Sequence, residues 1–251
     1  MTKVSRSTID RAEQAKFAQL ADQWWREDGA FSMLHKMSRV RMAYIAKHLK
    51  LLGPHRTLEV LDVGCGGGLA SVPMARKGHN VLGIDMVAEN IEAATIHARS
   101  QKIWDLKYHT SSIENLVAEQ KHSFDVVMAL EIVEHVADLE LFCSSCATLL
   151  KPGGLLFIST INKTTRSYLG AIIMAEYLLR WVPIGTHDWQ RFIGPQDLSE
   201  ILATQDLRVI DITGMQYNPI KDTWRMSNDQ SMNYILCARK PLQKLDFSKQ
   251  R

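Results

Sequence analysis

Three residues within five positions, Glu131, Glu134 and His135, carry the side chains best suited to chemistry. An imidazole titrates near neutrality and can take a proton from a phenol or another weak acid. Two carboxylates beside it offer a second reading. If the segment is helical, the three stand at i, i+3 and i+4 on one face, where they could hold a divalent ion completed by water and substrate oxygens. Such an ion would lower the pKa of a bound hydroxyl. A third reading leaves the glutamates as helix caps or ligand-orienting groups, since apolar pockets need few polar residues. Two more acids, Asp62 and Asp85, end apolar runs upstream and point toward the same place.

The element that positions them is Leu58-Glu-Val-Leu-Asp-Val-Gly-Cys-Gly-Gly-Gly68. Its apolar run predicts a buried strand. Gly64, Gly66, Gly67 and Gly68 then allow a sharp turn and close approach to a ligand. A helical pattern through Leu69, Val72, Met74 and Ala75 follows. Strand, glycine turn and helix form the first unit of a nucleotide-binding α/β sheet, with its crevice at the strand's carboxyl end. A dinucleotide turn wants a third glycine where Leu69 stands, which argues against a nicotinamide dehydrogenase. The pattern present, Asp62-x-Gly64-x-Gly66-x-Gly68, puts an acid where a pyrophosphate would be repelled and an ammonium welcomed. Asp85, at the end of the predicted strand Asn80–Ile84, suits two ribose hydroxyls. A ligand with a ribose, a cationic amino-acid end and no phosphate is S-adenosylmethionine.

The 251 residues are 46% hydrophobic and 23% charged, a globular composition with room for one sizeable core. A net charge of +3, evenly spread, gives no footprint for nucleic acid. The first residues lack an apolar signal core, which together with Met1 predicts a cytoplasmic, bacterial-type chain. Four cysteines without a second metal-type pair fit a reducing compartment, and Cys143-x-x-Cys146 falls in a helical run as small core residues.

Along the chain, residues 7–28 predict a helix with Ser7 as N-cap, and Gly29 stops it. A second helix reaches Leu52. These form a lid or substrate wall over residues 1–55. Arg41, on the second helix, is either a solvated charge or a bidentate partner for a cofactor carboxylate. The core, residues 56–165, continues with a helix over Val87–Ser100, a strand near Leu106–His109, Ser111–Leu116 against an adenine, a strand over Phe124–Leu130, a helix over Leu139–Leu150 and a strand over Leu155–Thr160. Residues 166–194 form an insertion. Within it, 167–182 is apolar nearly all round with one charged stripe, Glu176 and Arg180, and aromatic residues Tyr168, Tyr177 and Trp181. It is too short to span a bilayer, and predicts either a cap over the site or a contact with lipid. A helix over Pro195–Gln205 and two strands, about 208–215 and 232–239, close the chain as an antiparallel pair at the sheet edge, completing residues 195–240.

Together these blocks resemble the ubiquinone-biosynthesis O-methyltransferases, bacterial and mitochondrial. The match runs through Trp24-Trp25 with Gly29, Leu34-His35 leading to Arg41, the glycine block, Gly83-Ile-Asp85, Glu131-x-x-Glu-His135, Leu150-Lys-Pro-Gly-Gly154, Ser159-Thr-Ile-Asn162, Val182-Pro-x-Gly-Thr-His-Asp188 and Tyr217-Asn-Pro219. The resemblance implies a single Rossmann-like α/β domain with a seven-stranded sheet. It also implies O-methylation of a polyprenyl catechol and of a demethyl-ubiquinol, and peripheral contact with the inner membrane. Cofactor contacts carry over to Arg41, Gly64, Asp85 and Leu130, joining Asp62 and Gly66 from the turn. A Mg²⁺ site of the mitochondrial members matches Glu131, Glu134 and His135. One departure is Ser38-Arg39, where bacterial members usually read Asn-Pro; it bears on a local loop shape. The same resemblance admits partnership with other enzymes of quinone synthesis, and a non-catalytic S-adenosylmethionine-binding scaffold is the rival that the intact Glu131, Glu134 and His135 cluster opposes.

Overall fold

In a computed structural model, residues 7–54, 56–164, 167 and 191–242 are described. The apolar segment at 167–182 therefore lies outside them except for Ser167, as does the Gly185–Trp189 loop.

Eight strands form one sheet: β1 (Glu59–Val63), β2 (Asn80–Asp85), β3 (Lys107–Thr110), β4 (Phe124–Leu130), β5 (Leu150–Ile161), β6 (Arg208–Asn218), β7 (Thr223–Ser227) and β8 (Asn233–Arg239). Their order is β3-β2-β1-β4-β5-β8-β6-β7. The first five run parallel, and β8, β6 and β7 add antiparallel pairs. From β1 the chain winds outward to β3 and then returns to β4 on the other side. That reversal opens a crevice at the carboxyl ends of β1 and β4, where an open α/β sheet binds its ligand.

Burial on both faces explains the unbroken apolar runs of β1 and β4. Along β4, Val127 and Ala129 join one core with Phe142, Leu149, Leu198 and Leu202. Val126 and Met128 face the other, with Met37, Tyr44, Ile45 and Met74. The helices supplying these partners are α2 (Ser32–Leu49), α3 (Ser71–Arg76), α6 (Leu139–Leu149) and α7 (Pro195–Thr204). Asp138 caps α6 by accepting the Leu141 N–H at 3.0 Å, and Pro195 opens α7 at a position that needs no N–H donor.

Several expectations are corrected. The first helix is short, Arg11–Ala18, with a 3₁₀ turn over Ala21–Gln23; Ser7 accepts from Ile9 outside it. Trp24 leaves the helical path because its ring packs over the glycine turn, as described below. The second helix starts earlier, at Ser32, and is a core element as much as a wall, with Ile45 fully buried. Ser38 and Arg39 lie inside it, so no loop exists there. β8 is interior rather than at the edge, and an additional strand, β7, takes the edge; the sheet has eight strands. A short helix, α5 (Ile113–Glu119), follows the capping Ser112. The remaining helix, α4 (Ala88–Ser100), matches expectation closely.

At the amino ends of the parallel strands, opposite the crevice, Asp125 gathers three donors. The Arg56 guanidinium lies at 2.7 Å, the Glu59 N–H at 2.9 Å and the Lys151 ammonium at 3.0 Å. The carboxylate is buried and binds the starts of β1, β4 and β5 together. Asp125→Ala should strand the Glu59 N–H and lower stability by about 2–4 kcal/mol. Urea unfolding should show a lower midpoint at unchanged slope, with cofactor affinity of the folded protein intact. A midpoint equal to wild type would show that water replaces the carboxylate.

Candidate active site

The turn after β1 is built by backbone conformations that favour glycine. Gly64, Gly66 and Gly68 have φ of +67°, +51° and +88°. A Cβ on Gly64 would stand 2.7 Å from Ile132 Cδ1, and one on Gly66 would run into the Trp24 ring. The turn is held by the Cys65 N–H donating to Ile84 O at 3.0 Å.

Asp85, at the end of β2, accepts from the Gly66 N–H at 2.9 Å, the Val87 N–H at 2.8 Å and the Asn90 amide at 3.3 Å. Burial nevertheless raises its pKa above the ordinary carboxylate value. Asp62 accepts from the Ser71 hydroxyl at 2.5 Å. Its pKa is raised from 3.8 to about 7, chiefly by burial and further by the nearby Asp85 charge. The donors to both acids are neutral, so this end of the crevice is short of positive charge.

On α2, Arg41 is buried, not solvated. Its guanidinium pairs with Glu131 Oε1 at 2.7 Å, while its Nε finds no acceptor among the described residues. Glu131 sits at φ +53° and also accepts from the Ser159 hydroxyl at 2.8 Å. A single 3₁₀ turn, Val133–His135, follows. Glu134 turns into the protein and accepts from the Thr160 hydroxyl at 2.8 Å. Burial and the Glu131 charge raise its pKa to about 7, while His135 draws it down. The predicted single helical face is thus absent, because Glu131 precedes the turn in a left-handed conformation. Among the described residues no group of three or more His, Cys, Asp or Glu is arranged to hold a metal. Glu131, Glu134 and His135 do share one cavity; Arg41 and Ser159 both bind Glu131 through Oε1, and Thr160 binds Glu134 through Oε2.

That cavity has a volume of about 570 Å³ and is lined by Asp62, Gly64, Gly66, Asp85, Leu130 and Arg41. Ser111, Ser112 and Ile113 border it. Met33, Met37, Met215, Met232, Phe17, Trp224 and His135 line the same cavity, and Met37 Sδ accepts from the Arg41 guanidinium at 3.5 Å. The Phe17 ring meets the imidazole edge-on, 5.5 Å between centroids. The four cysteines are free and buried.

Trp24, Asn90, Ser159 and Thr160 were not singled out by sequence reasoning as site residues. The signal for Trp24 was its doublet with Trp25; the polar trio is indistinguishable in sequence from ordinary helix and strand residues.

A parallel sheet with its glycine turn at the switch point, two cation-deficient acids beside it and an unsatisfied guanidinium N–H across from them fit S-adenosylmethionine. The fold and site define a methyltransferase that uses this cosubstrate. A family model described as a methyltransferase domain matches residues 61–158. Among solved structures, a magnesium protoporphyrin IX methyltransferase from Synechocystis PCC 6803 with bound SAH is similar in fold, with a TM-score of 0.65 at 20% identity over 91% of this chain and 98% of that one. A 1,6-didemethyltoxoflavin-N1-methyltransferase from Burkholderia thailandensis reaches 0.61 at 17% identity over 95% and 93%. The chain is 44% identical over 248 residues to the ubiquinone biosynthesis O-methyltransferase of Bartonella bacilliformis, covering 96% of this chain and 99% of that protein. It is 44% identical over 249 residues to the one of Brucella ovis, covering 96% and 100%. The chain belongs to the ubiquinone biosynthesis O-methyltransferase family.

Asp62 gives a test without catalysis. Its folded-state pKa lies above the unfolded value, so its contribution to stability is full below 3.8 and lost as pH rises through about 7. Asp62→Asn, which cannot ionise, should melt a few degrees above wild type at pH 8 without ligand, roughly 2–4 °C per kcal/mol. The gap should shrink as pH is lowered toward about 5, in thermal unfolding followed by circular dichroism. A gap independent of pH would mean that Asp62 ionises as readily in the folded protein as in the unfolded chain.

Proposed function

We propose that the protein methylates phenolic oxygens of prenylated rings, a polyprenyl catechol (2-polyprenyl-6-hydroxyphenol) and 3-demethylubiquinol, with His135 as the base. The observation that carries this reading is that His135 and four methionines, Met33, Met37, Met215 and Met232, line the same cavity as Asp85 and the glycine turn. Methionine walls adapt to irregular apolar shapes, as a prenyl chain requires.

When bound, S-adenosylmethionine supplies an electrophilic methyl group on a sulfonium. Asp85 receives the ribose hydroxyls through its remaining lone pairs. Gly64, Gly66 and Leu130 let the ligand lie against backbone, Asp62 faces its cationic end, and the free Nε of Arg41 reaches its carboxylate. Glu131 holds that guanidinium in place. His135 takes the phenolic proton, and the buried Glu134 carboxyl beside it favours the imidazolium that forms, the reciprocal of the pull His135 exerts on Glu134. Phe17 and the methionines keep water from the phenolate. The remaining acceleration is positioning.

In this route His135 takes the proton directly, without a metal. With S-adenosylmethionine and a short-chain demethyl-ubiquinol kept reduced, turnover should be equal in EDTA and in Mg²⁺. His135→Ala should lower kcat by roughly 10²–10⁴-fold while cofactor binding is retained. Loss of turnover on chelation, restored by Mg²⁺, would return Glu131, Glu134 and His135 to a ligand set. Silence with cofactor bound would move the acceptor to another class or favour a scaffold.

We assign the 167–182 segment to the membrane surface, as suits so apolar an acceptor. No helix among the described residues is long and apolar enough to cross a membrane. Ser167, at the head of that segment, lines the cavity and donates to the Asn162 carbonyl. Replacing Tyr177 and Trp181 with serine should reduce co-sedimentation with anionic vesicles severalfold, since aromatic side chains anchor at headgroup depth. Undiminished binding would leave the segment as a cap over the site.

A further inference from the structure

Asn90 is buried at the start of α4 and uses both ends of its amide. Its Oδ1 accepts from Trp24 Nε1 at 2.8 Å, and its Nδ2 donates to Asp85 Oδ1 at 3.3 Å. The Trp24 indole is stacked on Phe31, 3.7 Å between centroids, and lies over Gly66 and Gly67 so closely that no Cβ would fit on either. The neighbouring Trp25 donates to Gly67 O at 2.8 Å and stacks on His97. Seven residues upstream of Trp24, Phe17 meets His135. One stretch, residues 17–31, therefore touches both the glycine turn and His135.

We propose that Asn90 is a positioning residue that links the ribose-binding carboxylate of Asp85 to Trp24, so that bound cofactor holds residues 17–31 closed over the site, with Phe17 kept against His135. The side chain required is narrow. It must accept from an indole N–H, which is donor only, and donate to a carboxylate, which is acceptor only when ionised. An amide does both; an aspartate would set a second acid against Asp85, and a leucine would do neither. Hydroxyls donating to Asp85 favour its charged form, and a charged acceptor strengthens the Asn90 bond and through it the Trp24 bond. The consequence is an order of binding: cofactor first, acceptor into a pocket completed by it. The link to turnover rests on His135 acting as base, whereas the closure itself is read without catalysis.

Amide hydrogen exchange with S-adenosylhomocysteine as the probe separates the two. In the wild type, saturating S-adenosylhomocysteine should slow exchange across residues 17–31. In Asn90→Leu and in Trp24→Phe, which keeps the stack on Phe31 but loses the donor, the ligand should still bind and that protection should fall to near the unliganded level. The KM for the acceptor at saturating S-adenosylmethionine should rise by about 5–10-fold, within the usual range of coupling between sites. The double variant should be no worse than either single one, because both break the same link. Should Asn90→Leu fail to fold or to bind, Trp24→Phe reads the same contact from its other end. Protection of 17–31 that is absent in the wild type, or equal in wild type and Trp24→Phe, overturns the proposal. So do effects of the two substitutions that multiply in the double variant. A raised acceptor KM with full protection would leave His135 as base while removing Asn90 from the closure.

Discussion

The Gly66 N–H donating to Asp85 ties together everything at the carboxyl edge of this sheet. One partner belongs to the turn after β1, the other to the end of β2. Asp85 is held further by Val87 and Asn90 at the entrance of α4. The turn after β1, the end of β2 and the entrance of α4 thus share one half-buried carboxylate. Its position is possible because Gly66 adopts φ +51°, which turns the N–H inward at no steric cost. A side chain at that position would push the turn away from both Asp85 and Trp24. The ligand-binding acid and the closing ring are therefore set by a single turn of backbone.

How legible this was depends on whether a feature is local. β1, β2 and β4 are buried on both faces, so their apolar runs mark themselves, and Gly64 and Gly66 mark where they end. Asp85 was legible because it terminates such a run. β7 was not, since Thr223–Ser227 is a short edge strand whose alternation, Trp224 and Met226 inward, is too brief to separate from a loop. Arg41 was ambiguous in sequence because its partner, Glu131, lies 90 residues away. That Glu131, Glu134 and His135 do not share one helical face has a related reason. Spacing of i, i+3 and i+4 converges only in an α-helix, and the positive φ of Glu131 is imposed by the tertiary pull of Arg41 and Ser159, which no local pattern records.

The two glutamates show how one motif is divided by environment. Glu131 meets a guanidinium and stays an acceptor for it; Glu134 meets only a hydroxyl and the imidazole next to it. Burial therefore falls on Glu134, whose pKa moves to about 7. A pair of carboxylates this close is costly to ionise together unless one of them is neutralised. Arg41 supplies that neutralisation from α2, a helix whose place is fixed by Ile45 and Tyr44 in the core. The electrostatics of the loop after β4 thus depend on packing across the other face of the sheet.

Stability and chemistry are kept at opposite ends of the same strands. At the amino ends, Asp125 is saturated by Arg56, Lys151 and the Glu59 N–H, an arrangement with nothing left to bind. At the carboxyl ends, among the described residues, Asp62 and Asp85 receive neutral donors only, and Arg41 keeps one buried N–H without an acceptor. The unmet groups are of opposite sign and lie around one cavity, so a ligand carrying an ammonium, a carboxylate and a ribose satisfies all of them at once. An unliganded site of this kind is destabilising by itself, since buried acids short of positive charge raise the cost of the folded state. Asp125, buried at the amino ends with three donors, ties β1, β4 and β5 together where no ligand is needed.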